Sequence, residues 1–223
     1  MAFPISSPPS LVIFDCDGVL VDSEPVANRL LVRVLAEDGY DISYEECRRL
    51  FVGKTMNAVM AHVEEAIGRP LGDHWPDHVR DETLKAFASG VAAVPGVEAV
   101  LLQLKARGIP FCVASSGKFE KMRFTLGSSG LLPLVEHVLF SAEQVAHGKP
   151  RPDLFLFAAK EMGFAPETCI VIEDSVPGVQ AAIAAGMPAL GFAGDPHTDA
   201  AALRSAGAHV FYDMGELPAL MGL

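Results

Sequence analysis

The chain has 223 residues, half of them apolar, and a formal net charge of −11. This size and composition suffice for a folded core in one or two domains. The negative charge argues against non-specific binding to nucleic acid, which depends on many cationic contacts with phosphate. No apolar stretch approaches the roughly 20 residues of a membrane span, and the start MAFPISSPP lacks the regions of a secretion signal. We therefore expect a cytoplasmic protein that binds neither nucleic acid nor membranes.

Apolar runs rich in strand-forming residues recur along the chain. They lie at 11–15, 110–114, 136–140, 169–173, 188–192 and 208–212. Helical patterns separate most of them, such as those at 96–108, 154–163 and 177–186. Strands that alternate with helices predict an α/β fold with a Rossmann-like parallel sheet covered by helices.

One long segment, at 22–90, breaks this alternation. It contains four helical patterns with no strand between them, and Pro and Gly punctuate both of its edges, in DSEP and in SGVAAVPG. Such edges are typical of the crossings between two domains. The sequence therefore predicts an α/β core domain of residues 1–21 and 91–223, interrupted by a helical domain of residues 22–90.

The first predicted strand ends in two acids, in LVIFDCDG at 11–18. Ligands of open parallel sheets bind beyond the carboxyl ends of the strands, and alternate side chains of an extended segment share one side. Asp15 and Asp17 are therefore expected to point together, with Cys16 opposite. Two such carboxylates repel each other unless a divalent cation or a proton intervenes. The alternative is an ordinary Asp-Gly turn with solvated acids.

Polar residues also end two later strands. Ser115 and Ser116 follow FCVA, and Glu173 and Asp174 follow CIVI. Hydroxyl and backbone N–H groups at the start of a helix can bind an anion, and carboxylates at a neighbouring strand end can contribute to a magnesium site. A helix cap would equally explain the serines, and a favourable helix dipole the acids. Lys149, in HGKPRPD, is either solvated surface or a cation that neutralises a phosphate or the acid pair.

Taken together, the DxDG, SSG, GKPxPD and EDS segments resemble the haloacid dehalogenase superfamily over nearly the whole chain. The helical insert is similar to the cap of its sugar-phosphatase and β-phosphoglucomutase branch. The resemblance implies that Asp15 is a nucleophile and Asp17 a general acid and base, with the hydroxyl of Ser115 and the ammonium of Lys149 holding phosphate. An acid two residues after the nucleophile favours phosphate chemistry, because the dehalogenases lack it.

The resemblance also implies a Mg²⁺ cofactor. Its expected ligands are Asp15, Asp174 and the backbone carbonyl of Asp17, while Glu173 is either a ligand or a neighbour of one. Ser116, Arg49 and Lys54 are further candidates for binding the substrate, although charged residues on helices usually face solvent.

The function expected from this resemblance is Mg²⁺-dependent hydrolysis of a small phosphorylated metabolite through an aspartyl phosphate. The substrate is a sugar phosphate or a related organic phosphate such as 6-phosphogluconate or phosphoglycolate, and we expect a monomer or a weak homodimer. A phosphomutase is the alternative, but Met56 and Ala27 stand where the β-phosphoglucomutase group has its cap arginine and hinge histidine. A phosphorylatable signalling module is the non-enzymatic alternative, although receiver domains lack a helical insert.

The four cysteines, at positions 16, 47, 112 and 169, are far apart and form no CxxC pair. Reduced thiols suit this spacing better than a disulfide framework or a zinc site. The sequence therefore gives no reason to expect either in this protein.

Overall fold

A computed structural model of the protein describes residues 8–52, 54–88 and 90–223. Most of the MAFPISSPP segment lies outside the described residues, as do Gly53 and Ser89, the latter at the predicted edge of the insert. Within those ranges, no helix combines the length and the apolar character that crossing a membrane requires.

The strands are β1 (Leu11–Phe14), β2 (Val21–Asp22), β3 (Ala92–Ala93), β4 (Phe111–Ser115), β5 (Leu139–Ser141), β6 (Cys169–Glu173), β7 (Ala189–Phe192) and β8 (His209–Phe211). The helices are α1 (Glu24–Glu37), α2 (Tyr44–Phe51), α3 (Met56–Ile67), α4 (Trp75–Phe87), α5 (Val97–Ala106), α6 (Phe119–Ser128), α7 (Leu132–Val135), α8 (Asp153–Met162), α9 (Val176–Ala184), α10 (Ala200–Ser205) and α11 (Leu217–Leu220). In the part of the chain that the structure describes, 3₁₀ turns lie at Ala142–Gln144, Pro166–Thr168 and Met214–Glu216.

Six of the strands in the described residues form one sheet in the order β5-β4-β1-β6-β7-β8, and every neighbouring pair is parallel. β1 lies inside the sheet, and its four residues are completely buried. Such a strand is covered on both faces, which is why its sequence is continuously apolar rather than alternating. The predicted α/β fold is confirmed, and its order brings the ends of β4, β1 and β6 side by side.

The chain divides into two compact units. One is interrupted after Asp22 and resumes at Ala92, and it contains the sheet; Ser23–Val91 form the other. The helical unit has its own core, in which α1 packs against α4 and α2. Trp75 is buried in this core, and its indole N–H donates to Asp38 Oδ2 at 2.7 Å. The helical unit therefore buries an apolar cluster of its own.

A short antiparallel pair at the crossings differs from the sequence expectation, which included no strand there. β2 pairs with β3 through Val21 opposite Ala93 and Asp22 opposite Ala92. Two residues per strand are too few to produce a period-two pattern, so the sequence carries no signal for them.

Candidate active site

The first acid of the pair is fixed at the end of β1. Its backbone N–H donates to the carbonyl of Ile172 at 2.9 Å, which continues the pairing with β6 by one residue. The side chain of Asp15 is 10% exposed, whereas that of Asp17 is 29% exposed. Cys16 between them is completely buried. The strand end therefore presents one enclosed and one more accessible carboxylate.

Gly18 brings this strand end against β6. Its φ angle is +79°, and a Cβ atom built there would lie 2.0 Å from Asp174 Oδ2. A side chain would be strained on both grounds, because L-residues rarely adopt this conformation and the carboxylate of Asp174 would have to move. The glycine of the DxDG segment thus allows the carboxylate of Asp174 to lie against the turn that follows Asp15.

Lys149 enters the site as a buried cation. Its Nζ donates to Asp15 Oδ1, to Glu173 Oε1 at 2.7 Å and to the carbonyl of Ala114 at 3.1 Å. Its side chain is 5% exposed, and the ammonium lies 4.9 Å from the centre of the Phe155 ring. A buried ammonium is stable only when it is paired and hydrogen-bonded, which these contacts provide. Lys149 is therefore part of the interior and not the solvated surface residue of the alternative interpretation.

Glu173 supports that lysine from the end of β6. While Oε1 accepts from Lys149, Oε2 accepts from the N–H of Asp174 at 3.0 Å and from both the N–H and the hydroxyl of Ser175, at 2.9 and 2.8 Å. A Cβ atom on Gly178 would lie 1.7 Å from Oε1. The glycine of the EDSVPG segment therefore leaves room for a carboxylate whose two oxygens are both engaged by donors of the protein.

The electrostatics of this buried group follow from its enclosure. Burial raises the pKa of Asp15 to about 7; Lys149 opposes the rise and Glu173 adds to it. For Lys149, burial alone would lower the pKa, but the charges of Asp15 and Glu173 outweigh it and raise the pKa. Burial also raises the pKa of the Cys16 thiol well above its usual range. Cys16 is consequently a protonated, inert side chain and Lys149 a permanent cation.

The serines lie at the end of β4, next to β1. Ser115 is 1% exposed, and its Oγ accepts from the N–H of Gly117 at 3.0 Å, while Ser116 is exposed. The hydroxyl of Ser141, at the end of β5, donates to the Gly117 carbonyl at 2.7 Å. These contacts fix the backbone of the SSG turn, from which α6 begins two residues later.

Sequence reasoning missed a second lysine that reaches the carboxyl edge of the sheet. Lys121 Nζ donates to Asp17 Oδ2 at 2.8 Å. Lys121 lies in the first turn of α6, and the SSG segment that precedes it was the nearest available signal. No spacing rule links it to Asp17, because 104 residues separate the two in sequence.

The structure brings together the site residues predicted in the sheet-bearing unit: Asp15, Asp17, Ser115, Ser116, Lys149, Glu173 and Asp174 lie at the carboxyl ends of β1, β4 and β6 or in the loop from which Lys149 extends. Arg49 and Lys54 belong to the helical unit. Arg49 is exposed in α2, with Nη2 3.4 Å from Glu46 Oε1, and Lys54 is exposed after that helix. Their role in substrate binding stays a prediction.

The donor set at this edge fits Mg²⁺. Within residues 8–52, 54–88 and 90–223, no group of three or more His, Cys, Asp or Glu side chains is arranged to hold a metal ion. Mg²⁺ needs fewer, because it usually keeps several waters and takes one or two carboxylates with a substrate phosphate. Asp15 and Asp174 come from neighbouring strands, and Gly18 packs the turn of the first against the carboxylate of the second. Hard oxygen donors of this kind suit Mg²⁺ better than a transition metal.

A parallel sheet that carries a buried, lysine-bound aspartate and further acids at its carboxyl edge defines an α/β enzyme with its site at the strand ends. The model of the haloacid dehalogenase-like hydrolases matches residues 9–186. The chain belongs to the haloacid dehalogenase-like hydrolase family, which confirms the predicted family and hydrolase class.

Similar proteins agree with this assignment. The chain is 37% identical over 187 residues to 6-phosphogluconate phosphatase of Escherichia coli K12, covering 83% of each chain. It is 35% identical over 175 residues to hexitol phosphatase A of the same organism, covering 78% of each. A crystal structure of a HAD family hydrolase from Deinococcus radiodurans R1, with bound phosphate and sodium, superposes with a TM-score of 0.86 at 35% identity, covering 97% of this chain and 96% of that one.

Proposed function

We propose that this protein is a Mg²⁺-dependent phosphatase that hydrolyses a small phosphorylated metabolite, with Asp15 as nucleophile. The observation that carries the proposal is the buried contact of Asp15 with Lys149 at the carboxyl edge of the sheet, beside Ser115 and Asp17. Phosphate monoesters hydrolyse extremely slowly without a catalyst, and enzymes accelerate this reaction by up to ~10²¹-fold. A covalent intermediate divides this task into two steps.

In the first step, a carboxylate oxygen of Asp15 attacks phosphorus. The new bond joins that oxygen to phosphorus, and the bond between phosphorus and the ester oxygen of the substrate breaks. Asp17 gives its proton to the departing oxygen, which leaves as an alcohol. The greater exposure of Asp17 supports this division of roles, because a general acid must reach both the substrate and water.

In the second step, a water molecule attacks the aspartyl phosphate. Asp17, now a carboxylate, accepts a proton from this water, inorganic phosphate leaves, and Asp15 is restored. The same residue acts first as acid and then as base, so one cycle returns it to its starting protonation state.

Lys149 and the SSG turn supply contacts for the phosphate. Lys149 keeps its charge when buried and pairs with Asp15, so it is placed to offset the negative charge that builds up as carboxylate and phosphate approach. Ser115 and Ser116 offer hydroxyl and backbone groups to the phosphate oxygens. We assign to Glu173 the support of Lys149 rather than a metal bond, because both of its oxygens accept from protein donors.

Mg²⁺ would be held by Asp15, Asp174 and the backbone carbonyl of Asp17. When bound, it would neutralise charge between the carboxylates and the incoming phosphate. The charges of the chain itself support the proposed metal. With Asp17 protonated for the first step, the carboxylates of Asp15, Glu173 and Asp174 still outnumber the ammonium groups of Lys149 and Lys121 by one, and a phosphate dianion would add to this negative charge.

The proposed substrate class is sugar and sugar-acid phosphates. Support comes from the relatives named as 6-phosphogluconate phosphatase and hexitol phosphatase A. We propose further that the helical unit acts as a cap and selects the substrate, with Arg49 and Lys54 contacting its anionic or hydroxylated part. Closure of a cap excludes water from the phosphate and completes the contacts with the substrate.

Incubation with a panel of sugar phosphates, sugar-acid phosphates and phosphoglycolate in Mg²⁺ tests the proposal. We expect free phosphate, and no turnover by an Asp15→Asn variant whose far-UV circular dichroism matches the unsubstituted protein. The amide is nearly isosteric with the carboxylate but cannot attack phosphorus. An isomerised sugar phosphate without phosphate release would indicate a mutase, and a stable aspartyl phosphate with neither product would indicate a signalling module. Turnover by the Asn variant near the unsubstituted rate would remove Asp15 as nucleophile.

A further inference from the structure

The two aspartates that follow β1 each have their own lysine. Lys149 contacts Asp15 and is almost completely buried, whereas Lys121 contacts Asp17 and is about one third exposed. Lys149 is already engaged by Asp15, Glu173 and the Ala114 carbonyl. The functions assigned to Lys149 therefore leave the second ion pair unexplained.

Gly117 shapes the space in which this second pair lies. A Cβ atom built on Gly117 would lie 3.3 Å from Ser115 Oγ, 3.6 Å from Lys121 Cδ and 3.8 Å from Asp17 Oδ2. The hydroxyl, the lysine stem and the carboxylate thus converge on one backbone position at the end of β4. Lys121 reaches Asp17 along the turn that is expected to bind phosphate, so the pair belongs to the site and not to a distant surface.

Proton transfer requires that the side chain of Asp17 be held in a defined orientation. A general acid or base must lie within about 2.6 to 3.2 Å of the atom with which it exchanges a proton. An aspartate side chain that is partly exposed can rotate about two dihedral angles, and a displacement of about 1 Å at a reacting group can cost about a hundredfold in rate. A charge-assisted hydrogen bond to one carboxylate oxygen restricts both rotations.

We propose that Lys121 is a positioning residue, which holds the side chain of Asp17 where it can exchange protons with the leaving group and with water. The inference rests on the proposed phosphatase function. Lys121 itself gives up no proton in the cycle: the proton moves from Asp17 to the ester oxygen, and later from water to Asp17. The lysine therefore acts only through the carboxylate that it contacts.

The test compares Lys121→Met with Asp17→Asn and with the double variant, using an alkyl phosphate and p-nitrophenyl phosphate in Mg²⁺. Methionine retains most of the stem but removes the donor. We expect Lys121→Met to lower kcat by about tenfold to a hundredfold, to change KM less than about threefold, and to reproduce in weaker form the dependence on leaving group that Asp17→Asn shows. If Lys121 acts through Asp17, the double variant should be no slower than Asp17→Asn alone, because residues that act as a unit are not additive.

Two further variants separate positioning from general charge effects. Lys121→Arg retains a cation of similar reach and should recover part of the lost kcat. Lys105→Met removes one positive charge from an exposed position in α5 and should leave kcat unchanged. A measurement without turnover uses thermal unfolding in chelator, where the effect of Lys121→Met on the midpoint should be smaller in the Asp17→Asn background than in the unsubstituted protein.

Three results would overturn the inference while the proposed function stands. One is an additive loss in the double variant. Another is an unchanged kcat with a raised KM and weaker inhibition by inorganic phosphate, which would make Lys121 a phosphate ligand. The third is equal slowing of both substrates by Lys121→Met when Asp17→Asn distinguishes them. Absence of phosphate release by the unsubstituted protein would instead refute the proposed function itself, and the inference with it.

Discussion

Replacement of Asp15 by asparagine should stabilise the fold while it removes the nucleophile. Burial raises the pKa of Asp15 from 3.8 to about 7. Between these two values the folded state holds a proton that the unfolded state has lost, so the free energy of unfolding falls as the pH rises through this window. Below it both states are protonated, and above it both are ionised and the whole penalty is present. Asparagine resembles the protonated acid and does not titrate, so its advantage should grow with pH.

The size of this advantage follows from the same shift. The rise in the pKa of Asp15 from 3.8 to about 7 corresponds to a loss of about 4 kcal/mol in unfolding free energy at pH values above the folded pKa, at 1.36 kcal/mol per pKa unit. Within the window, the difference in unfolding free energy between the Asn variant and the unsubstituted protein should increase by about 1.4 kcal/mol per pH unit, and by about 2 to 3 kcal/mol between pH 5 and pH 8. The change with pH is the sharper quantity, because any effect of the amide on packing is the same at every pH.

Urea unfolding followed by far-UV circular dichroism in chelator, at pH 5, 6, 7 and 8, measures this difference. Asp73→Asn is the matched control, since Asp73 is exposed, and it should show no comparable increase over the same range. A difference for Asp15→Asn that stays flat from pH 5 to pH 8, or that reverses, would show that Lys149 outweighs burial at this site. Growth of the difference would mean that the catalytic arrangement is maintained at a cost in stability, as is common at active sites.

Three further variants test the supports of the site. Gly178→Ala should displace the Glu173 carboxylate, lower the unfolding free energy by about 1 to 3 kcal/mol and reduce kcat. The control is Gly127→Ala, whose Cβ would lie 3.8 Å from its nearest neighbour and which should not destabilise the protein. Equal effects of the two variants in urea unfolding would contradict the packing argument. Glu173→Gln should cost about 1 to 3 kcal/mol in the same assay, because one of the two oxygens that accept from Lys149, Asp174 and Ser175 becomes an NH2 group that cannot accept, and a neutral result would disprove the supporting role. Asp174→Ala should raise the Mg²⁺ concentration for half-maximal activity steeply with little change in fold, and an unchanged metal titration would exclude it as a ligand.

The strands of the sheet could be predicted because each is a short apolar run between clear turn signals. β6 illustrates this best, since its five residues are all buried and its bounds, Cys169–Glu173, equal the predicted ones. β5 was predicted at 136–140 but spans Leu139–Ser141. Glu136 instead closes the short helix α7, donating its N–H to the Leu132 carbonyl at 2.8 Å. Periodicity cannot separate the end of such a helix from the start of a strand when both are apolar.

The contacts among the polar residues were less predictable than the strands. Sheet order brings the ends of β1, β4 and β6 together, and the motif residues follow because they stand at those ends. Lys121 does not stand at a strand end. Its contact with Asp17 depends on where α6 begins after the turn that follows β4, which the sequence does not indicate. The contacts of Glu173 were likewise hidden, since a carboxylate beside a metal and one beside a lysine look identical in sequence.

Two glycines show how the motifs at different strand ends form one packed unit. Gly18 follows β1, and its missing Cβ leaves the space taken by Asp174 after β6. Gly178 lies in α9, and its missing Cβ leaves the space taken by Glu173. In sequence, each glycine is explained equally well by a turn or by a helix start. In the fold, each is needed because an acid from a strand end occupies the position of its side chain, so replacing either glycine should displace that acid although the acid itself is not substituted.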